Sequence, residues 1–382
     1  MRSNPRIHAR RWLTRARLPI QLFVVLLLAV TVAAQNRPAE PSLQGEGSLK
    51  VMTYNIYVGT EYPGITDPNY TAFLQAVTNL ILNVRASDSA GRMQAIAQQI
   101  AATQPHLVNL QEVATWSTGL TKDNLTVEFD FLQLLLDALA AQGVPYTPVF
   151  SLTHFDVTLP STFGFARNTW RVVILARADM KAEHLSYTNA NAATWTDTLI
   201  VPVPALNGLP ELCPVPLTGT ACRVPFPRGW VSADVTYRGK QLRLIAAHLD
   251  SSSARREIAQ GLELLNGPAN TTLPVIVGAD LNCDCSNPSD PFYPTCENFA
   301  KAGFTDAWAV VNPYEPGYTK TLPIWDPLDF LNKRSDYVMV RGRFRVQAAV
   351  IVGEAEGDKT ASGLWPSDHC GVVARLQLPQ LE

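Results

Sequence analysis

Six short apolar runs, spread from residue 49 to residue 376, each carry at one end a side chain able to do chemistry. VMTYN (51–55) ends on Asn55, and LVNLQE (107–112) ends on Glu112. LRLIAAHLD (242–250) brings His248 and Asp250, and PVIVGADLN (274–282) brings Asp280 and Asn282. RSDYVMV (334–340) opens on the strand-leading Asp336, and SDHCGV (367–372) places Asp368 and His369 before the final run. Apolar runs of this length read as buried strands. Their ends lie on the rim of a sheet, where a shared cleft can form. Placing one kind of group at so many rims is economical only if they meet, so residues 49–382 are expected to form a single domain around one site.

Between these runs, apolar residues at 93, 96, 97, 100 and 101 mark a helix over 92–102. Further helices are expected over 129–141, stopped by Gly143 and Pro145, and over 255–265. Strands are expected at 49–56, 107–110, 172–175, 230–237, 241–247, 274–277, 336–340, 348–352 and 371–376. Residues 186–227, rich in Pro, Asn and Thr, read as an irregular insert. The mixture predicts an α/β fold, a two-layered sheet core flanked by helices. There is no fixed-period repeat and no break that would cut the chain into two domains.

The chain's start reads differently. Residues 1–34 hold six arginines and no acidic residue, then LFVVLLLAV (22–30) and small residues through Ala34. That is the pattern of a secretory signal peptide. Residues 35–48 follow as a polar lead-in. The weaker reading is an uncleaved membrane anchor, because the apolar stretch is short and broken by Pro19 and Gln21. Cleavage near Ala34 would leave 25 basic against 33 acidic residues, so the net charge of -2 conceals an acidic secreted or periplasmic protein. No second run is long enough to span a bilayer. All six cysteines lie beyond the leader, as export permits. A Cys213–Cys222 staple is expected. Cys283 is expected to reach Cys296, with Cys285 as the alternative partner. Zinc on Cys283, Cys285 and Cys296 is the weaker competing reading, since no histidine is near and the spacing is unusual.

Several carboxylates, two amides and two histidines make an oxygen-rich set that suits a hard divalent cation. Such a cation would offset charge on a phosphate in transfer. A histidine can donate to that phosphate. The set contains no His-x-His or His-Glu-x-x-His zinc pattern. In their order, MTYNI (52–56), NLQEV (109–113), AAHLDS (246–251), VGADLN (277–282), RSDYVMV and SDHCGV resemble the endonuclease/exonuclease/phosphatase superfamily, the DNase I-like fold. The resemblance covers residues 49–376 and rests above all on GADLN together with SDH.

The resemblance implies a four-layer α/β sandwich with two central mixed β-sheets flanked by helices. It implies Glu112 as the principal Mg²⁺ ligand (Mn²⁺ or Ca²⁺ being possible), with Asn55 and Asp368 completing or supporting the metal site. Asp280 would orient or deprotonate the attacking water, and Asn282 would bind phosphate. His369, with Asp336 as its carboxylate partner, and His248 would face the scissile phosphate. Arg228, Asn168 and Thr319 are softer substrate-binding candidates. Trp308 and Trp325 lie near the expected rim, while core packing accounts for most other aromatics. The implied substrate is a phosphoester: nucleic acid or a related phosphodiester first, with a sphingomyelinase or phospholipase C-type lipid reaction and a phosphomonoesterase as alternatives. The mature charge opposes tight non-specific DNA binding. A non-catalytic secreted binding module on the same scaffold is the contrasting class. A monomer is expected.

Overall fold

Side-chain alternation along the strands sorts the residues into layers. A computed structural model describes residues 47–182, 184–204, 215–216, 221–320, 324–325 and 331–378. The expected leader (1–34), most of the lead-in and Cys213 lie outside the described residues. Those that are described belong to one compact unit, Pro41–Glu382. In strand β1 (Leu49–Asn55), Leu49 and Val51 face one apolar cluster while Met52 and Tyr54 face another. A strand that is apolar on both faces must be covered on both.

The elements that cover it follow in order. Helices α1 (Tyr70–Ala86) and α2 (Ser89–Thr103) precede β2 (Leu107–Thr121) and β3 (Asn124–Asp130). Helix α3 (Phe131–Ala141) leads into the long pair β4 (Tyr146–Ser161) and β5 (Gly164–Arg177). Next come β6 (Leu185–Thr194), β7 (Leu199–Pro204), β8 (Val215–Pro216), β9 (Ala221–Phe226), β10 (Gly229–Tyr237) and β11 (Lys240–His248). Helix α4 (Ala254–Asn266), β12 (Val275–Asp280), α5 (Tyr293–Lys301), β13 (Thr305–Asp306) and α6 (Ala307–Val311) follow. Strands β14 (Asp336–Arg341), β15 (Arg345–Val352) and β16 (Gly371–Gln377) close the chain.

One sheet runs β15-β16-β1-β2-β5-β4, with β3 beside β2, and the other runs β13-β14-β12-β11-β10-β6. Both are mixed: β1–β2 and β11–β12 are parallel and their other pairings antiparallel. The outer face of the first sheet packs on Phe73, Val77, Met93, Ile96 and Leu135 of α1, α2 and α3. The outer face of the second packs on Leu264 of α4 and Phe299 of α5. Leu49, Val172, Val231, Leu244, Ile276 and Val338 fill the space between the sheets. This is the four-layer α/β sandwich.

Near the site the inter-sheet layer turns polar and thin. Gln111 Nε2 donates to Thr53 Oγ1 at 3.1 Å, and Asn109 Nδ2 donates to the Ile245 carbonyl of the facing sheet at 3.4 Å. A Cβ on Gly278 would fall 2.1 Å from Asn109 Nδ2, so only glycine lets the sheets approach this closely. Gly278→Ala should lower stability by about 1–3 kcal/mol in chemical denaturation, the usual range for overpacking.

The structure departs from the sequence reading in places. Strands β2 and β5 run well past 107–110 and 172–175, and β4 and α1 had no assignment. The extra lengths of β2, β4 and β5 are half-buried antiparallel ladder, which alternates rather than forming an apolar run. The expected irregular insert contains β6, β7 and β9.

The cysteines also correct an expectation. Cys285, not Cys283, is bonded to Cys296. Cys283 is a buried free thiol whose Sγ lies 3.1 Å from Cys296 Sγ. The bond consumes two of the three sulfurs and so removes the zinc reading. Cys222 is disulfide-bonded.

Beneath this cluster, Glu257 of α4 is fully buried and accepts from Thr295 Oγ1 of α5 at 2.7 Å. Burial foremost pushes its carboxyl from 4.5 up to about 8. The fold therefore favours the protonated form. That stabilisation is whole below about 4.5 and is lost as pH rises through about 8. Glu257→Gln should melt like the parent in acid and above it in mild alkali, a gain of roughly a few kcal/mol by linkage. Thermal melts across pH check this.

Candidate active site

The same alternation that builds the inter-sheet core delivers the polar groups. In β11, Leu242, Leu244 and Ala246 point between the sheets, so His248 does too. In β12, Ile276 and Gly278 set the same phase for Asp280. In β14, Val338 and Val340 set it for Asp336. These three residues stand at one register: His248 opposite Asp280, and Asp280 opposite Asp336. From the other sheet, Asn55 ends β1 in phase with Leu49 and Val51. Glu112 would by alternation join Val108 and Leu110 against the helices. A register shift between Leu110 and Val113, with φ of +57° at Glu112, breaks that phase. Its carboxylate reaches Asn55 instead.

Asp280 is the hub. Its Oδ2 accepts from Asn55 Nδ2 at 3.0 Å and lies 3.3 Å from His248 Nε2 and 3.8 Å from His369 Nε2. Its Oδ1 accepts from the Asn282 backbone N–H at 3.0 Å. Burial opposes its ionisation, but His369 and then His248 outweigh that and hold the carboxyl well below the usual range. Glu112 is similar: burial raises it, while His248, Arg228 and His369 bring it below its ordinary value. Its Oε1 accepts from Asn55 Nδ2 at 3.2 Å, and its Oε2 accepts from the Val58 N–H at 2.9 Å.

His369 is held from behind. Its Nδ1 lies 2.7 Å from Asp336 Oδ2, which also accepts from Thr319 Oγ1 at 2.7 Å and from Ser335 Oγ at 3.2 Å. Those hydroxyls favour the Asp336 anion, so the shared proton sits on Nδ1 and leaves Nε2 facing the site. Burial disfavours the imidazolium, but Asp336 foremost lifts His369 to about 9. His248 shifts the other way, lowered by burial and then by Arg228. The Arg228 guanidinium meets His248 Nε2 and donates to the Leu249 carbonyl at 2.6 Å. Asn282, at φ +58°, donates from Nδ2 to the same carbonyl at 3.0 Å.

Three sequence candidates have their polar atoms engaged within the protein. Asn55 turns its Oδ1 to the Tyr57 N–H at 3.1 Å and its NH₂ to the Glu112 and Asp280 carboxylates, which it braces. Thr319 is fully buried with its hydroxyl committed to Asp336, behind the site rather than on a substrate. Asn168 is engaged with the Tyr62 hydroxyl, the Trp170 ring N–H and the Thr115 carbonyl. Asp250 caps its own loop through Ser252 and Ser253. Trp325 is exposed, and Trp308 is half-buried with its ring N–H on the Glu315 carbonyl.

Sequence reasoning missed three supports. Arg92 is fully buried and donates to the carbonyls of Ile56 and Pro366 at 3.0 and 3.1 Å, tying the Asn55 and Asp368 loops together. Ser367 Oγ donates to the Asn55 carbonyl at 2.7 Å. Lys320 places its Nζ 2.8 Å from His369 Nε2. Desolvation works against this ammonium, yet Asp368, Asp280 and Glu112 raise its pKa. Arg92 falls in a patterned segment as an ordinary helix-start residue and Ser367 opens the SDHCGV run, while Lys320 stands one residue beyond a candidate.

The donor set fits a hard divalent cation. The half-buried Glu112 and buried Asp280 carboxylates converge on a single amide NH₂, and Asp368 lies close to His369 and Lys320. So much negative charge at one edge calls for a counter-ion beyond the two histidines and two basic side chains. Among the described residues, Asp280, Asp336 and His369 also bring ligand atoms within 4.8 Å of one another.

The model of the endonuclease/exonuclease/phosphatase family matches residues 52–369. The chain is similar in structure to an endonuclease/exonuclease/phosphatase family protein from Bacteroides thetaiotaomicron, at 16% identity and a TM-score of 0.53, over 86% of this chain and 94% of that one. A family protein from Leptotrichia buccalis matches at 16% identity and a TM-score of 0.53, over 86% of this chain and 100% of that one. A mannosyl-6-phosphatase from Bacteroides thetaiotaomicron matches at 16% identity and a TM-score of 0.51, over 86% and 99%. At these identities the likeness speaks to fold. No curated protein sequence matches the chain.

Proposed function

Because the chain belongs to the endonuclease/exonuclease/phosphatase family, whose members hydrolyse phosphoester bonds with divalent metals, we propose that it is a secreted phosphodiester hydrolase. Nucleic acid or a related phosphodiester is the first substrate class. The observation that carries this reading is the convergence of Asp280, from one strand register, with His248, His369 and Asn55.

Glu112 and Asp368 would hold a divalent cation, Mg²⁺ first, with Asn55 bracing the carboxylates. When bound, that ion supplies charge neutralisation at the phosphate and a lower pKa for coordinated water. Asp280, kept ionised by its neighbours, accepts a proton from the attacking water. Asn282 fixes Asp280 through its backbone N–H and lines the approach. His369, aligned by Asp336 and Thr319, turns Nε2 to the phosphoryl oxygens. His248 and Arg228 approach from β11 and the loop before β10. Attack is in line on phosphorus, with no covalent intermediate.

Export is supported by the leader pattern and by the Cys285–Cys296 disulfide. N-terminal sequencing of protein from a secreting host should begin just after Ala34.

The central test is a panel of plasmid DNA, RNA, sphingomyelin, p-nitrophenyl phosphate and p-nitrophenyl phosphodiesters, with Mg²⁺, Mn²⁺ or Ca²⁺ across pH. Turnover of a phosphodiester that stops on chelation is expected. If every substrate stays intact under all conditions, the hydrolase reading is wrong.

A further inference from the structure

Resting on that reading, we propose that Lys320 is a substrate-phosphate ligand that shares a phosphoryl oxygen with His369 and tunes the site by substrate charge. Its backbone is pinned in place. Thr319 and Lys320 N–H groups both donate to the Lys333 carbonyl at 2.9 Å, and Cys370 N–H donates to the Thr319 carbonyl at 2.7 Å. These bonds lay Lys320 beside His369 as an antiparallel bridge. The side chain remains 37% exposed, unlike the histidine it meets.

Its contacts are unusual for a lysine. The ammonium stands 3.8 Å from Asp368 Oδ2, beyond hydrogen-bond length, yet 2.8 Å from His369 Nε2. Among the described residues that ring nitrogen is its one side-chain polar neighbour within hydrogen-bond distance. An ammonium can only donate, and the imidazolium that Asp336 stabilises carries a hydrogen on Nε2 as well, so two donors meet here. This is also the ring nitrogen that faces the site, because Nδ1 is committed to Asp336. A phosphoryl oxygen in reach of Nε2 therefore arrives beside Nζ. It gives the ammonium and the ring N–H one shared anionic acceptor, and each bond to it is charge-assisted. Arg228 occupies the matching position at His248, so each histidine is flanked by a cation.

A charge placed there acts most on the more highly charged substrate. A phosphomonoester carries an additional negative charge on the reacting phosphate compared with a diester. Lys320 thus sets how the site ranks the two classes.

The test compares Lys320→Gln and Lys320→Arg with the parent at saturating metal. It measures KM and kcat on p-nitrophenyl phosphate and a p-nitrophenyl phosphodiester, binding of inorganic phosphate by calorimetry, and thermal melting. Lys320→Gln should weaken phosphate binding and raise the monoester KM by about tenfold or more, the usual range for a hydrogen bond to a charged group. The diester KM should rise less, Lys320→Arg should recover most of the loss, and the melts should coincide. The proposal falls if Lys320→Gln binds phosphate within about twofold of the parent. It falls equally if the variant merely melts lower or loses metal affinity with phosphate binding intact, or if the parent binds no phosphate. A parent that binds phosphate but hydrolyses nothing overturns the hydrolase reading alone, and Lys320 is then judged on binding.

Discussion

Asp280→Asn should reduce turnover by about a thousandfold or more while the protein melts close to the parent, the scale expected when a general base is lost. The substitution keeps shape and removes charge. Asp280 Oδ2 lies within 4 Å of Asn55 Nδ2, His248 Nε2 and His369 Nε2 together. Neutralising it removes the proton acceptor, the counter-charge of His369 and the carboxylate beside His248. The surroundings are already polar at a sheet rim, so the apolar layers are untouched. His369→Ala should be similarly severe, because it removes the group that Asp336, Thr319 and Ser335 are arranged to hold. Steady-state rates alongside melting curves decide the matter. A rate near the parent's in either variant would refute the assigned roles.

Glu112→Gln should weaken the apparent metal affinity by about tenfold or more and silence turnover at limiting metal. Glutamine retains one oxygen for the Val58 N–H, which already binds Oε2 at 2.9 Å, so the backbone turn at φ +57° should persist. What it loses is the carboxylate charge and the acceptor for the Asn55 NH₂. Metal titration of activity, repeated with Mg²⁺ and Mn²⁺, reads this directly. Activity should return in part at high metal. An unchanged metal dependence would place the ion elsewhere.

Much of this site is written in strand ends. His248, Asp280 and Asp336 could be read from the sequence because each closes or opens an apolar run, and strand phase does the rest. The local stripe of α1 at Phe73, Val77, Leu80, Ile81 and Val84 is equally regular and was open to the same reading. Other features leave no such trace. Lys320 and Thr319 lie in a loop, and their places depend on backbone bonds to Lys333 and Cys370, which periodicity does not encode. Arg92 occupies a helix position that pattern alone assigns to solvent, yet it is buried against carbonyls from two distant loops. The choice of Cys285 over Cys283 is a matter of angstroms rather than of spacing, since both sulfurs reach Cys296 of α5 and Cys283 Sγ stops 3.1 Å short.

The first and last strands are neighbours: Leu49 of β1 stands opposite Leu376 of β16. The loop just ahead of β16 carries Asp368 and His369, so the order of synthesis matters. A nascent chain can lay down β1, β2 and most of the second sheet while its opening strand still lacks the partner on its other side. Contacts of such long sequence separation form late. Until the closing strand leaves the ribosome, neither Asp368 nor His369 has a place to stand. Under the proposed function the chain would thereby be inert through its own production, and a prematurely terminated copy would be harmless for the same reason.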